Sequence, residues 1–64
     1  MTLLDPDYTP HELEARRQLK EAHNLLLKHQ YEEALEHVLN ATAELRLMGA
    51  VVRGYVERKN AKAQ

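Results

Sequence analysis

The residues with the widest chemical range in this chain are its four histidines, His11, His23, His29 and His37, because a neutral imidazole can ligate a metal or move a proton near neutral pH. His29, Glu33 and His37 follow one another at intervals of four, which puts two imidazoles and a carboxylate on one face of a helix. A second helix folded back beside them would bring His23 level with His37. Against a metal centre, His29 falls at a turn, His23 and His37 fall on the rim of a helix contact, and nothing supplies an outer shell to orient the rings. No metal ion and no cofactor are expected.

Catalysis has less to work with. The chain of 64 residues holds no cysteine and no serine, and it lacks a glycine-rich phosphate loop. Two helices leave no room for a pocket of a few hundred Å3. Glu32, Glu33 and Glu36 form a carboxylate cluster, but at the start of a helix they are partners of its positive end on a solvated face. The chain is expected not to be an enzyme.

The net charge of −1 is unevenly distributed: residues 1–36 carry eight acids and four bases, residues 37–64 two acids and five bases. Arg46, Arg53 and the Arg58-Lys59 pair stand on one predicted helix, so a nucleic-acid-binding helical bundle is the alternative function. Yet Arg46 and Arg53 are one heptad apart, where interchain salt bridges with Glu commonly sit, and Tyr55 is the sole nearby aromatic for stacking on a base.

The elements that position these residues are helical. Residues 1–9 form an extended arm, since Pro6 and Pro10 bias Asp5 and Thr9 away from helix; Leu3 and Leu4 are its anchors. Thr9 is a good N-cap, Pro10 suits the first helical position, and Glu12 completes a capping box, with Tyr8 and Leu13 placed for a hydrophobic staple. The first helix runs from Pro10 to about Lys28 with Leu13, Ala15, Leu19, Ala22, Leu25 and Leu26 turned inward. A phase change between Leu26 and Tyr31 predicts a tight turn at Lys28–Gln30, although neither Gly nor Pro marks it.

The second helix, from Tyr31 to about Arg58, carries the longest apolar stripe. Tyr31, Leu35, Val38, Thr42, Leu45, Gly49, Val52 and Val56 alternate in steps of four and three, and Ala34, Ala41, Met48 and Tyr55 form a flanking row at sevens. The stripe predicts the seam of the hairpin. Gly49 and Gly54 mark either a kink or end near Met48, or a close approach between chains.

Ala22, Leu25, then Tyr31-Glu32-Glu33-Ala34, Val38 and Ala41 are placed as in the hairpin of a tetratricopeptide repeat, whose second helix opens with Tyr-x-x-Ala after a short polar turn. Residues 15–44 thus resemble a single such repeat, without its closing proline and with a second helix that continues. A lone repeat cannot bury its own face, so the resemblance implies a helical hairpin and no solenoid.

The expectation is an all-α antiparallel hairpin over residues 10–59, with a disordered tail over 60–64, assembled as a homodimeric four-helix bundle. With residue pairs summing to about 60, the second helix overhangs the first by about nine residues, or roughly 13 Å. The overhang can be covered by the arm, through Leu3, Leu4 and Tyr8, or by a second chain; Leu45, Met48, Val52, Tyr55 and Val56 form the expected intermolecular interface, with Arg46, Arg53 and Arg58 at its rim. No run reaches the roughly 20 apolar residues of a membrane span, and residues 1–8 lack the pattern of a signal peptide. The expected protein is a soluble, cytoplasmic interaction module, an adaptor, regulator or inhibitor that binds itself and another protein.

Overall fold

A computed structural model describes residues 7–63. Two α-helices, α1 over Thr9–Leu27 and α2 over Tyr31–Ala63, pack against each other, and there is no strand among the described residues. The expected arm falls mostly on residues 1–6, and Gln64 ends the chain; both lie outside the described residues. Residues 60–63 continue α2 where a tail was expected.

The start of α1 lies one residue earlier than the capping pattern predicts. Tyr8 occupies the N-cap position with no side-chain cap of its own, and its carbonyl accepts the backbone N–H groups of His11 and Glu12, both at 3.1 Å. The capping role passes to Asp7, whose Oδ1 accepts the Thr9 N–H at 2.9 Å. That bond holds the Asp7 carboxyl below its ordinary range. Glu12 is thereby released from a capping box and instead accepts from Arg16 Nη2 at 2.7 Å. Leu13 is exposed, so no staple buries it.

Between the helices, Lys28–Gln30 make the turn that the phase change predicts. His29 takes a positive φ of 63°, the left-handed conformation usually given to glycine after a helix. The Gln30 N–H reaches back to the Leu25 carbonyl at 2.9 Å and the His29 N–H to the Leu26 carbonyl at 3.0 Å. These two bonds close the end of α1 in a Schellman motif. The His29 ring is held outside it by a 2.8 Å hydrogen bond between Nδ1 and the Tyr31 hydroxyl.

The helices meet through small residues. Ala15 and Ala22 of α1, and Ala34 and Ala41 of α2, are almost fully buried, and Gln18 is the one buried polar residue among those described. The stripe predicted to form this seam does not. Leu35, Val38, Leu45, Val52 and Val56 are all exposed, and the flanking row supplies the contact instead. Leu19 and Leu26 of α1, expected inside, are exposed as well. The physical reason is distance: methyl side chains let two helix axes approach closely, and interaxial spacing follows the residues at the contact.

Polar pairs across the seam set the register. His11 donates from Nδ1 to Glu44 Oε2 at 2.8 Å, and His37 bonds through Nδ1 to Gln18 Oε1 at 2.6 Å. Asn40 Nδ2 adds a longer contact to the same Gln18 oxygen at 3.4 Å. The residue numbers of these pairs add to between 55 and 58, lower than the expected 60. Thr9 therefore ends level with about residue 47, and α2 projects beyond α1 by about sixteen residues, roughly 24 Å at 1.5 Å each. The Cα extents, 53 × 19 × 12 Å, describe a long layer about one helix thick.

Candidate interaction surface

Along α2 the seam is built by Ala34, His37, Ala41 and Glu44, and the same row continues past the start of α1 through Met48, Val51 and Tyr55, which are half-buried. Along α1 it is built by His11, Ala15, Gln18, Ala22 and Leu25. Successive residues lie 100° apart around a helix, so the residue after each seam position points a quarter turn away. In two antiparallel helices that face each other, these quarter turns fall on the same side of the layer.

That side is apolar along α2 and mixed along α1. After the α1 seam come Glu12, Arg16, Leu19, His23 and Leu26; after the α2 seam come Leu35, Val38, Thr42, Leu45, Gly49, Val52 and Val56. The residues before each seam position fall on the opposite side, which is polar near the turn, with Glu14, Arg17, Glu21, Asn24, Glu33, Glu36 and Asn40, and turns apolar farther along α2 at Ala43, Leu47 and Ala50. The bonds of Gln18 to Glu14 and Asn40, both on that side, fit this geometry. Near the turn the hairpin thus has one polar side, and on the other side α2 carries a continuous apolar stripe that α1 joins at Leu19 and Leu26. Leu35 is 57 % exposed and Val52 39 %, against 1 % for Ala34 and 2 % for Ala41.

The residues expected to form an interface divide between two rows. Leu45, Val52 and Val56 lie on the apolar face, all exposed. Met48 and Tyr55 lie on the seam row and are half-buried. Arg46 and Arg53 are exposed and follow the stripe residues Leu45 and Val52, so they flank the apolar face on the edge away from α1. Arg58 stands over the Tyr55 ring at 5.4 Å, a cation–π geometry, and its Nε donates to the Gly54 carbonyl at 3.4 Å. Leu19 and Leu26 lie on the same side as the α2 stripe; the spacing of seven between Ala15 and Ala22 was the available signal for the α1 seam.

The histidines are spread out. His11 and His37 are engaged with Glu44 and Gln18, His29 with Tyr31, and His23 is exposed on α1. Among the described residues no three metal-ligating side chains converge on a common point. On the polar side Glu14 is tied to a base. Arg17 donates to both oxygens of Glu14, and with the Gln18 amide this pulls the Glu14 carboxyl from 4.5 down to about 2. The same pair raises the Arg17 pKa. A shallow hollow at the turn is lined by His29, Gln30, Tyr31, Glu32 and Glu33 and is open to solvent.

No protein-family model matches the chain, and no curated protein or solved structure gives a match. Among the described residues no helix is long and apolar enough to cross a membrane.

Proposed function

We propose that this chain is a small non-enzymatic interaction module of the cytoplasm, an adaptor, regulator or inhibitor, which associates with itself as a homodimer of four helices and presents helical surface to another protein. One observation carries this reading: most of the larger apolar side chains of both helices are exposed, and the fully buried apolar residues are alanines. Each buried methyl-sized group contributes only about 0.8 kcal/mol, so an alanine seam is a thin source of stability for a domain this small. Without disulfides, covering the apolar face by a partner is the remaining stabiliser. The tetratricopeptide-like pattern of residues 15–44 describes, in this reading, the hairpin itself.

Sedimentation across a wide concentration range tests the assignment. A dimer whose mass falls to that of one chain in Val52→Asp is the expected result; a monomer at every concentration removes the basis for self-association. Binding to generic RNA that weakens steeply with salt would instead favour a nucleic-acid role for the Arg46, Arg53 and Arg58 edge.

A further inference from the structure

The apolar face has an internal symmetry that selects its occupant. From Tyr31 to Val56 the stripe residues are separated by four, three, four, three, four, three and four, a series that reads the same in both directions. A helix with this spacing is complementary to its own antiparallel image. Centred between Thr42 and Leu45, such a pairing sets Tyr31 opposite Val56 of a second copy, Leu35 opposite Val52, and Val38 opposite Gly49.

Charge selects the direction. On the edge away from α1, the antiparallel register brings Glu32 beside Arg53 of the second copy, and the reverse, which makes two opposite-charge pairs per dimer. A parallel pairing would bring Glu32 level with Glu32 and Arg53 level with Arg53. Gly49 points the same way. A Cβ there would meet nothing within 4 Å in the single chain, so no intrachain packing requires glycine at a position where it costs about 1 kcal/mol relative to Ala. Opposite Val38 of another copy, its absence of a side chain allows close approach. Thr42, at the centre of the stripe, already donates its hydroxyl to the Val38 carbonyl at 3.0 Å and brings no unsatisfied donor to the contact.

We infer that the overhang of α2 docks into the hairpin of a second copy, as a third helix lying along the apolar face between α1 and α2. The exchange is reciprocal, and the proposal rests on the self-association reading above. The part of α2 that projects past α1 is the part that the antiparallel register carries over Leu35, Val38 and, on the adjoining α1, Leu19 and Leu26, with the exposed His23 between them. Each half of the dimer then contains three helices in cross-section: α1, α2 and the overhang of the other chain. The area is sufficient. The chain exposes 5469 Å2, against about 4,200 Å2 for a compact monomer of its mass, and a stable interface needs about 800 Å2 from each partner.

Cysteine cross-linking decides the register in a chain that has no cysteine of its own. Full-length Leu35→Cys and Val52→Cys variants, mixed and oxidised, are expected to form the mixed disulfide dimer in large excess over either homodimer. Predominance of the Val52→Cys homodimer would overturn the register and point to parallel pairing. A dimer by mass with no mixed cross-link would also overturn it while leaving self-association standing; a monomer by mass would overturn both. As a second readout, Glu32→Arg and Arg53→Glu should each weaken the dimer about tenfold, and the double variant should restore most of that loss. Failure of the double variant to recover would remove the charge pairing from the proposal. Gly49→Leu should raise helix content in the monomer and weaken dimerisation; undiminished dimerisation would overturn the close approach.

Discussion

Gln18 and His37 join the two helices through a 2.6 Å hydrogen bond at the centre of the seam, and the chemistry of their neighbours fixes how. Gln18 Nε2 donates to Glu14 Oε2 at 2.7 Å, which turns the amide oxygen toward α2. That oxygen only accepts, so His37 carries its hydrogen on Nδ1. Replacing Gln18 by Ala removes three bonds and leaves partly buried groups of His37 and Asn40 without this acceptor. The cost is expected to be about 1–3 kcal/mol, a fall of roughly 4–8 °C in melting midpoint per kcal/mol, measured by thermal denaturation.

The seam and the apolar face respond to opposite kinds of substitution. Ala41→Leu inserts bulk where the helices touch and should cost about 1–3 kcal/mol at every protein concentration. Val52→Asp lies outside the seam and should abolish only the concentration-dependent part of the stability, which follows partner binding by mass action. Melts at two widely separated concentrations distinguish them. Equal behaviour of the two variants would mean that Val52 is part of the intrachain core.

The left-handed His29 makes the turn sensitive to side-chain shape. His29→Val places a branched Cβ at a φ of 63° and should destabilise the hairpin by about 1–2 kcal/mol. His29→Gly should remain more stable than the Val variant, since glycine adopts this conformation freely although it forfeits the bond to Tyr31. Denaturant midpoints of the two variants give the comparison.

The polar face predicts an acid limb. The Glu14 carboxyl is held at about 2 by Arg17 and Gln18, below its ordinary 4.5, so its contribution is fully present above about pH 4.5. It is lost as pH falls from there toward 2. Asp7, also lowered, acts in the same sense at the start of α1. Glu14→Gln should flatten the decline in melting midpoint between about pH 5 and pH 2 without reversing it. An unchanged acid limb would place the pH dependence elsewhere.

Much of this architecture was legible in the residues. The phase change after Leu26 locates the turn even though His29 stands where glycine would have signalled it, and both helices follow from their periodicity. Hydropathy misplaced the seam because it ranks Leu35 and Val52 above Ala34 and Ala41, whereas closest approach of two helices depends on small volume. Gln18 was hidden for a related reason. An amide between Ala15 and Ala22 looks like a surface residue until Glu14, His37 and Asn40 are seen to satisfy it. The residues expected at an interface stand in two rows of α2 a quarter turn apart, Leu45, Val52 and Val56 exposed, Met48 and Tyr55 half-buried.

Under the proposed self-association, the projecting end of α2 would make the molecule a gauge of its own abundance. A segment of about sixteen residues is near the length at which a helix in water is only marginally formed without tertiary support. Dilution should therefore unwind it from Ala63 inward while the hairpin persists, and the ellipticity per residue should climb as more protein is added. A spectrum taken at one concentration would report the degree of assembly as much as the fold.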